Sequence, residues 1–222
     1  MNFRHEWKHE ISCLDMLTLR QRLRAVAQAD PHAVDGTYLI RSLYFDTPAD
    51  KALLEKLNGV SRREKFRIRY YNGDTGVIHL EKKSKLGGLG NKQSAELSVP
   101  EVSALLQDDL SWMLDSGRPL VRELYSKMCT QQLRPKTIVD YTREPYVYPA
   151  GNVRITLDRD IRTGLRCTDF LNPGLTIPAG DAPVILEVKW DTFLPSVIRD
   201  AIQLEGRHTS SFSKYAQCRI YG

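Results

Sequence analysis

Lys65-Phe66-Arg67-Ile68-Arg69-Tyr70-Tyr71, continued after Asn72-Gly73-Asp74 by Ile78-His79-Leu80-Glu81-Lys82-Lys83-Ser84-Lys85, is the stretch that decides the fold. Side chains of a strand point alternately to its two faces. Lys65, Arg67 and Arg69 therefore share one face, and Phe66, Ile68 and Tyr70 share the other. In the second run His79, Glu81, Lys83 and Lys85 alternate with Ile78, Leu80 and Lys82. The Asn72-Gly73-Asp74 connection carries a hairpin signal. Two antiparallel strands are predicted, apolar on one side and almost wholly ionic on the other.

The same pattern recurs along the chain. Arg4, Glu6, Lys8 and Glu10 fall on one face of an opening strand. Arg154, Thr156, Asp158 and Asp160 alternate with Val153, Ile155 and Leu157, and Glu187 and Lys189 alternate with Leu186, Val188 and Trp190. A solvated sheet face is the ordinary reading of any one such strand, but solvated faces usually mix Thr, Ser, Gln and Asn with the charges. Amphipathic helices are predicted at 15–28, 48–57, 100–108, 119–131, 195–205 and 211–218, with Pro100 and Pro195 suited to first turns. These helices need an apolar sheet surface to pack on. If they cover it from outside, the ionic faces point inward. The expected fold is α+β, a closed antiparallel β-barrel with a charged lumen and external helices, which also leaves no strand edge exposed.

Strands are read at 4–12, 38–46, 63–72, 76–85, 93–99, 135–142, 152–160 and 183–190, and the longest irregular stretch, 163–182, is expected to be a surface loop. The 222 residues suit one large domain, 1–222, with a helical insertion at about 100–131 between two strand-rich halves. No repeat, linker or composition break divides it.

Composition excludes several classes. Two-fifths of the residues are hydrophobic and the formal net charge is +5, an ordinary globular balance that makes the placement of the cations the informative feature. Cys13, Cys129, Cys167 and Cys218 are widely spaced without CxxC or Cys/His ligand spacing, so reduced thiols in a cytoplasmic protein are expected rather than zinc or disulfides. The opening residues are charged from Arg4 onward and do not read as a signal peptide. No window approaches the roughly 20 apolar residues of a membrane span, although a membrane partner is compatible with the sequence.

A lumen lined by Lys and Arg must stay wet or hold an anion, because enclosed cations without counter-charge cost several kcal/mol each. Arg offers phosphate a bidentate fork and Lys a mobile point charge. Interleaved Glu and Asp would repel phosphate unless a divalent metal, Mg²⁺ or Mn²⁺, bridges them.

These segments resemble the triphosphate tunnel metalloenzymes, and among them the VTC (vacuolar transporter chaperone) polyphosphate polymerase domain. Arg4-His5-Glu6-Trp7-Lys8 is similar to the family's first-strand signature, and Arg41-Ser42-Leu43-Tyr44-Phe45-Asp46-Thr47 to its S-x-Y-[FY]-D segment. Lys65 to Tyr71 resembles the R-x-R-x-Y strand and Leu80-Glu81-Lys82-Lys83 the E-x-K strand. Val139 to Arg143, Val153 to Asp158, Leu186-Glu187-Val188-Lys189 and Phe212-Ser213-Lys214-Tyr215 continue the family's motifs in order.

The resemblance implies transfer of the γ-phosphate of ATP onto a growing polyphosphate chain, with Mn²⁺ or Mg²⁺ required. It implies that Arg67, Arg69, Lys83 and Arg143 bind phosphates, with Lys8, Arg154, Lys189 and Lys92 completing the cationic lining. Glu187 and Glu6 are the implied metal ligands, and Lys214, with Arg143 and Lys83, the implied catalytic cations. The family's terminal helix reads K-F-S-K, whereas Ser211 precedes Phe212 here. Hydrolysis of a triphosphate, or a catalytically silent polyphosphate- or nucleotide-binding module, are the alternatives of the same fold.

Other patterns read more simply. Leu86-Gly87-Gly88-Leu89-Gly90-Asn91-Lys92 lacks phosphate-loop spacing and is expected to be a flexible hairpin connection with Lys92 at its far end. His5 and His9 share a face out of phase with Glu6 and Lys8 and are read as surface or packing residues. Tyr70, Tyr71, Tyr141, Tyr146 and Tyr148 are read as packing rather than base-stacking residues, so no nucleic acid partner is expected.

Overall fold

The computed structural model describes residues 4–87 and 89–220. The chain forms two compact units, one of Met1–Leu39, Tyr141–Ile161 and Gly180–Phe212, the other of Ile40–Asp140, Arg162–Ala179 and Ser213–Gly222.

In the first unit, β1 (His5–Ile11) leads into α1 (Cys13–Val26) and the short β2 (Gln28–Ala29). Ser12 starts α1 with a reciprocal capping box, its hydroxyl accepting from the Asp15 amide while the Asp15 carboxylate accepts from the Ser12 amide. Later residues of this unit and of the other are supplied by β3 (Tyr38–Asp46), α2 (Lys51–Leu57), β4 (Arg63–Tyr71), β5 (Asp74–Leu86) and β6 (Leu89–Leu97). There follow α3 (Val99–Leu106), α4 (Ser111–Leu114), α5 (Pro119–Gln131), β7 (Arg134–Tyr148), β8 (Val153–Thr163), β9 (Ile177–Pro178), β10 (Val184–Trp190), α6 (Ser196–Ile202) and α7 (Lys214–Cys218).

Strand order in the first unit is β1-β10-β8-β7, with β2 beside β7. Its core lies under α1 and α6. Leu19 and Leu23 of α1 and Ile198 and Ala201 of α6 pack with Ile11, Ile155, Leu157, Leu186 and Val188, the apolar phase of the strands. The second unit has the order β7-β3-β4-β5-β6. Phe66, Ile68, Leu80 and Leu97 form its core with Val102 and Leu105 of α3 and Leu120, Val121 and Leu124 of α5. In each unit the helices cover the apolar side, as the alternation requires, and leave the ionic phase opposite. Lys82, at apolar phase, is accommodated by pairing with Glu64 at 3.2 Å and with Glu123 at the helix margin.

The sheet is antiparallel as expected, and among the described residues β1 and β6 each have a single strand neighbour, so closure into a barrel is not shown. The edges are handled otherwise: Thr209 bridges His9 and the Ser210 amide donates to the Lys8 carbonyl at 2.7 Å, while β6 carries the polar run Asn91-Lys92-Gln93-Ser94. The stretch 163–182 is not simply a surface loop. Phe170 is fully buried against Tyr70, and Arg41 holds the segment by donating to the Pro173 carbonyl at 2.9 Å while its guanidinium grips Asp140. The glycine-rich stretch connects a hairpin as expected, with pairing that reaches Leu86 and Leu89 and Gly87 at φ +55°, and Gly88 lies outside the described residues. Lys92, expected at the far end of the connection, sits within β6.

Candidate functional site

The register of the second unit turns the predicted alternation into columns. Lys65 of β4 stands opposite Lys83 of β5, which stands opposite Lys92 of β6. One step along, Tyr44, Arg67, Glu81 and Ser94 form the next column across β3 to β6, and Ser42, Arg69, His79 and Glu96 the one after. Like charges placed directly across strands are unfavourable. Three lysines thus stand in one column, with Lys92 paired to Glu81 of the next.

Glu81 organises the cations around it. Its carboxylate accepts from Arg67 Nε at 2.7 Å, and lies 2.5 Å from Lys92 Nζ and 4.0 Å from Arg69 Nη1. The side chain is 2% exposed. Burial works against its charge, but Arg67, Arg69 and Lys92 outweigh burial and hold the carboxyl well below the usual glutamate range. Arg67 also donates to the Tyr44 hydroxyl at 2.8 Å, and Arg69 Nε to the Ser42 hydroxyl at 2.8 Å. Both guanidiniums are thereby oriented before any ligand arrives.

Helix α7 is fastened to the same face. The Tyr215 hydroxyl donates to Asp46 at 2.6 Å, and its ring stacks on Tyr44 at a centroid distance of 5.0 Å. Burial, then the Asp46 carboxylate, push the Tyr215 phenol pKa far up, so it remains a donor. Lys65 Nζ donates to the Ser213 hydroxyl at 3.3 Å and lies 5.1 Å from the Tyr215 ring centre. Lys214, between those two contacts in sequence, is half-buried at the helix start. The expected helix from 211 is shorter, because Ser213 caps it by accepting from the Ala216 amide.

The first unit carries a different mixture. Glu6 pairs across strands with Lys189, which pairs with Arg154; Lys8 pairs with Glu187, which pairs with Thr156. Acid and base thus alternate along β1 and β10 and between them, while β8 adds Arg154 beside Lys189 and the neutral Thr156 beside Glu187. Lys8 Nζ lies 3.4 Å from Glu187 and 3.5 Å from Glu6, and Lys189 Nζ contacts Glu187 and lies 3.6 Å from Glu6. Burial opposes the Lys8 charge, yet Glu187 and Glu6 outweigh it and raise its pKa above the ordinary lysine value. Arg143 grips the fully buried Asp158 with two bonds of 2.7 and 2.8 Å and lies over the Tyr141 ring. Arg154 donates to Asp30 at 2.9 Å.

Glu6 and Glu187 have the donor chemistry of an Mg²⁺ or Mn²⁺ site, since such ions are commonly bound through one or two carboxylates, phosphate and water. Among the described residues no group of three or more His, Cys, Asp or Glu converges on a metal position. The residues thus fit an ion shared with a phosphate ligand, and the lysine contacts to both glutamates would have to rearrange around it.

Within the second unit the structure brings together Arg67, Arg69, Lys83 and Lys92, with Lys214 on the adjoining helix. Within the first it brings together Glu6, Lys8, Arg154, Glu187 and Lys189, with Arg143 on β7. Residues the sequence reading did not nominate are Lys65, Tyr44, Ser42 and Glu81, whose importance comes from register. Lys65 was visible on the ionic face, and its place opposite Lys83 was not. His5 stacks on Trp190 at 5.3 Å, a packing role.

These observations define an antiparallel α+β protein with cation-rich sheet faces opposite its helix-covered cores. Residues 3–221 match the VTC domain, and the chain belongs to the VTC domain family. No curated relative matches the sequence. Among solved structures it is similar to the PH1012 protein of Pyrococcus horikoshii, with 14% identity, a TM-score of 0.55 and 99% of each chain covered. It is also similar to bh2851 of Bacillus halodurans, a proposed adenylate cyclase, with 17% identity, a TM-score of 0.52, and 85% of this chain and 80% of that one covered. At these identities the likeness is one of fold.

Proposed function

We propose that this VTC domain is a metal-dependent polyphosphate polymerase that transfers the γ-phosphoryl group of ATP to the terminal phosphate of a growing chain. The observation that carries the reading is the Lys65–Lys83–Lys92 column beside Arg67 and Arg69, a run of cations matched to a run of phosphates. In the reaction a terminal oxygen of the chain bonds to Pγ, the bond from Pγ to the β–γ bridging oxygen breaks, and ADP leaves with that oxygen. Phosphoryl transfer asks the protein chiefly to position and to stabilise charge.

Each cation has a distinct part. Arg67 and Arg69, fixed by Glu81, Tyr44 and Ser42, hold phosphate oxygens with pre-set forks, while Lys83 and Lys92 follow a mobile chain. Lys214 supplies positive charge from α7, where Tyr215 and Ser213 hold the helix against β3 and β4. In the first unit Arg143, Lys8, Arg154 and Lys189 bind phosphate. Mn²⁺ or Mg²⁺ held by Glu187 with Glu6 supplies, when bound, neutralisation of phosphate charge.

Ser211, exposed on the segment entering α7, favours a second reading in which the domain binds polyphosphate or a nucleotide without turnover. Incubation with ATP and Mn²⁺ followed by product analysis tests both. ADP with phosphate in chains supports the polymerase, ADP with equal free phosphate indicates a triphosphatase, and binding without ADP indicates the silent module.

A further inference from the structure

Thr156 stands on β8 directly opposite Glu187 of β10 and therefore on the same sheet face. The residue is 3% exposed, and its Oγ1 has no hydrogen-bond partner. A buried hydroxyl left in that condition is costly, and native proteins usually satisfy it. Two residues earlier, on the same face, Arg154 Nε is also buried without a partner, although its Nη2 donates to Asp30 at 2.9 Å.

What both donors lack is an acceptor. The neighbouring carboxylates point their bonds elsewhere: Asp158 takes the Arg143 guanidinium at 2.7 and 2.8 Å, and Glu187 takes Lys189 and Lys8. Lys189 is opposite Arg154, and Lys8 is opposite Glu187, so two ammonium groups share the sheet face with the two donors. An acceptor entering here would be anionic and would carry several oxygens. A phosphate group meets both conditions, and a neutral carbonyl or hydroxyl would waste the surrounding charge.

We propose that the Thr156 hydroxyl, with the Nε–H of Arg154, donates to a phosphate group of a bound triphosphate or polyphosphate. This assignment rests on the phosphate-binding reading above and adds to it a neutral donor that reads phosphate geometry rather than charge. A threonine in this position favours a ligand with an acceptor oxygen within reach of β8. Its contribution is independent of ionic strength to a degree that the lysine contacts are not.

The test is calorimetric titration of the intact chain with inorganic tripolyphosphate and with ATP, both without divalent metal, using Thr156→Val, Thr156→Ala and Thr156→Ser. Valine and alanine should weaken both ligands about tenfold, the scale of one hydrogen bond to a charged group, while serine stays within about twofold of the parent. The ligand-free Val variant should melt no lower than the parent, because the unsatisfied hydroxyl is gone. Unchanged tripolyphosphate affinity in the hydroxyl-free variants, an equal loss in serine, or a loss confined to ATP would each overturn the assignment. A parent protein that binds neither ligand would instead refute the phosphate-binding reading itself, and this contact with it. If valine does not fold, the alanine variant carries the comparison.

Discussion

Lys65 and Lys83 face one another directly across β4 and β5, a like-charge pair that Lys92 extends onto β6. A polyanion lying along the column would be attracted by its three ammonium groups. Lys83→Gln should therefore bind tripolyphosphate several-fold more weakly, and the loss should shrink as salt is raised. Calorimetry at low and high salt checks this, and an unchanged affinity would remove Lys83 from the phosphate-binding role.

Glu81 has the contrary character, since its carboxylate joins Arg67, Arg69 and Lys92 in a nearly dry setting. Glu81→Gln should destabilise the protein by about 3–5 kcal/mol, the cost of stripping one partner from a buried ion pair. The sign with pH follows from the depressed carboxyl. Its contribution is complete above the unfolded glutamate value of about 4.3 and declines as pH falls toward the lower folded value. Denaturant unfolding of parent and variant at neutral and at acid pH should show the gap narrowing on acidification.

Glu187 touches both Lys8 and Lys189, and Glu6 lies near the same ammonium groups. Glu187→Gln should lower metal-dependent ADP release by about a hundredfold or more, the scale of losing one electrostatic contributor to a phosphoryl transition state. Tripolyphosphate binding without metal should hold or tighten, because a negative charge has been removed. Full turnover in this variant would remove Glu187 from the metal role.

Tyr215 and Asp46 join α7 to β3 through a 2.6 Å bond. Tyr215→Phe leaves the Asp46 carboxylate still accepting from the Thr47 and Ala52 amides, so the expected loss is about 1–3 kcal/mol. Lys214→Gln should change thermal stability little and reduce turnover strongly. A Tyr215→Phe protein with lower turnover and unchanged tripolyphosphate affinity would place the effect in helix positioning.

Much of this was legible in the alternation itself. Arg67, Arg69, Glu81 and Lys83 fall on one face because a strand has period two, and the structure keeps them there. Which residues stand beside them depended on register. The β4–β5 pairing shifts between Arg69 and Tyr71, and the β5–β6 pairing runs on as far as Leu86 and Leu89, so the lysine column could not be counted from sequence. Partners distant in the chain were equally hidden: Arg41 with Asp140, and Asp46 with Tyr215. The apolar phase announced that helices would cover it, as α1 and α6 do in one unit and α3 and α5 in the other. Phe170 was missed because a single aromatic in a Gly- and Pro-rich stretch has no period to reveal it.

The most direct test of the polymerase reading is the ratio of free phosphate to ADP released from ATP in the presence of Mn²⁺. A polymerase gives a ratio close to zero, with the missing phosphate recovered in long chains by gel electrophoresis. A ratio of one, or ATP bound with no ADP formed, would contradict that reading.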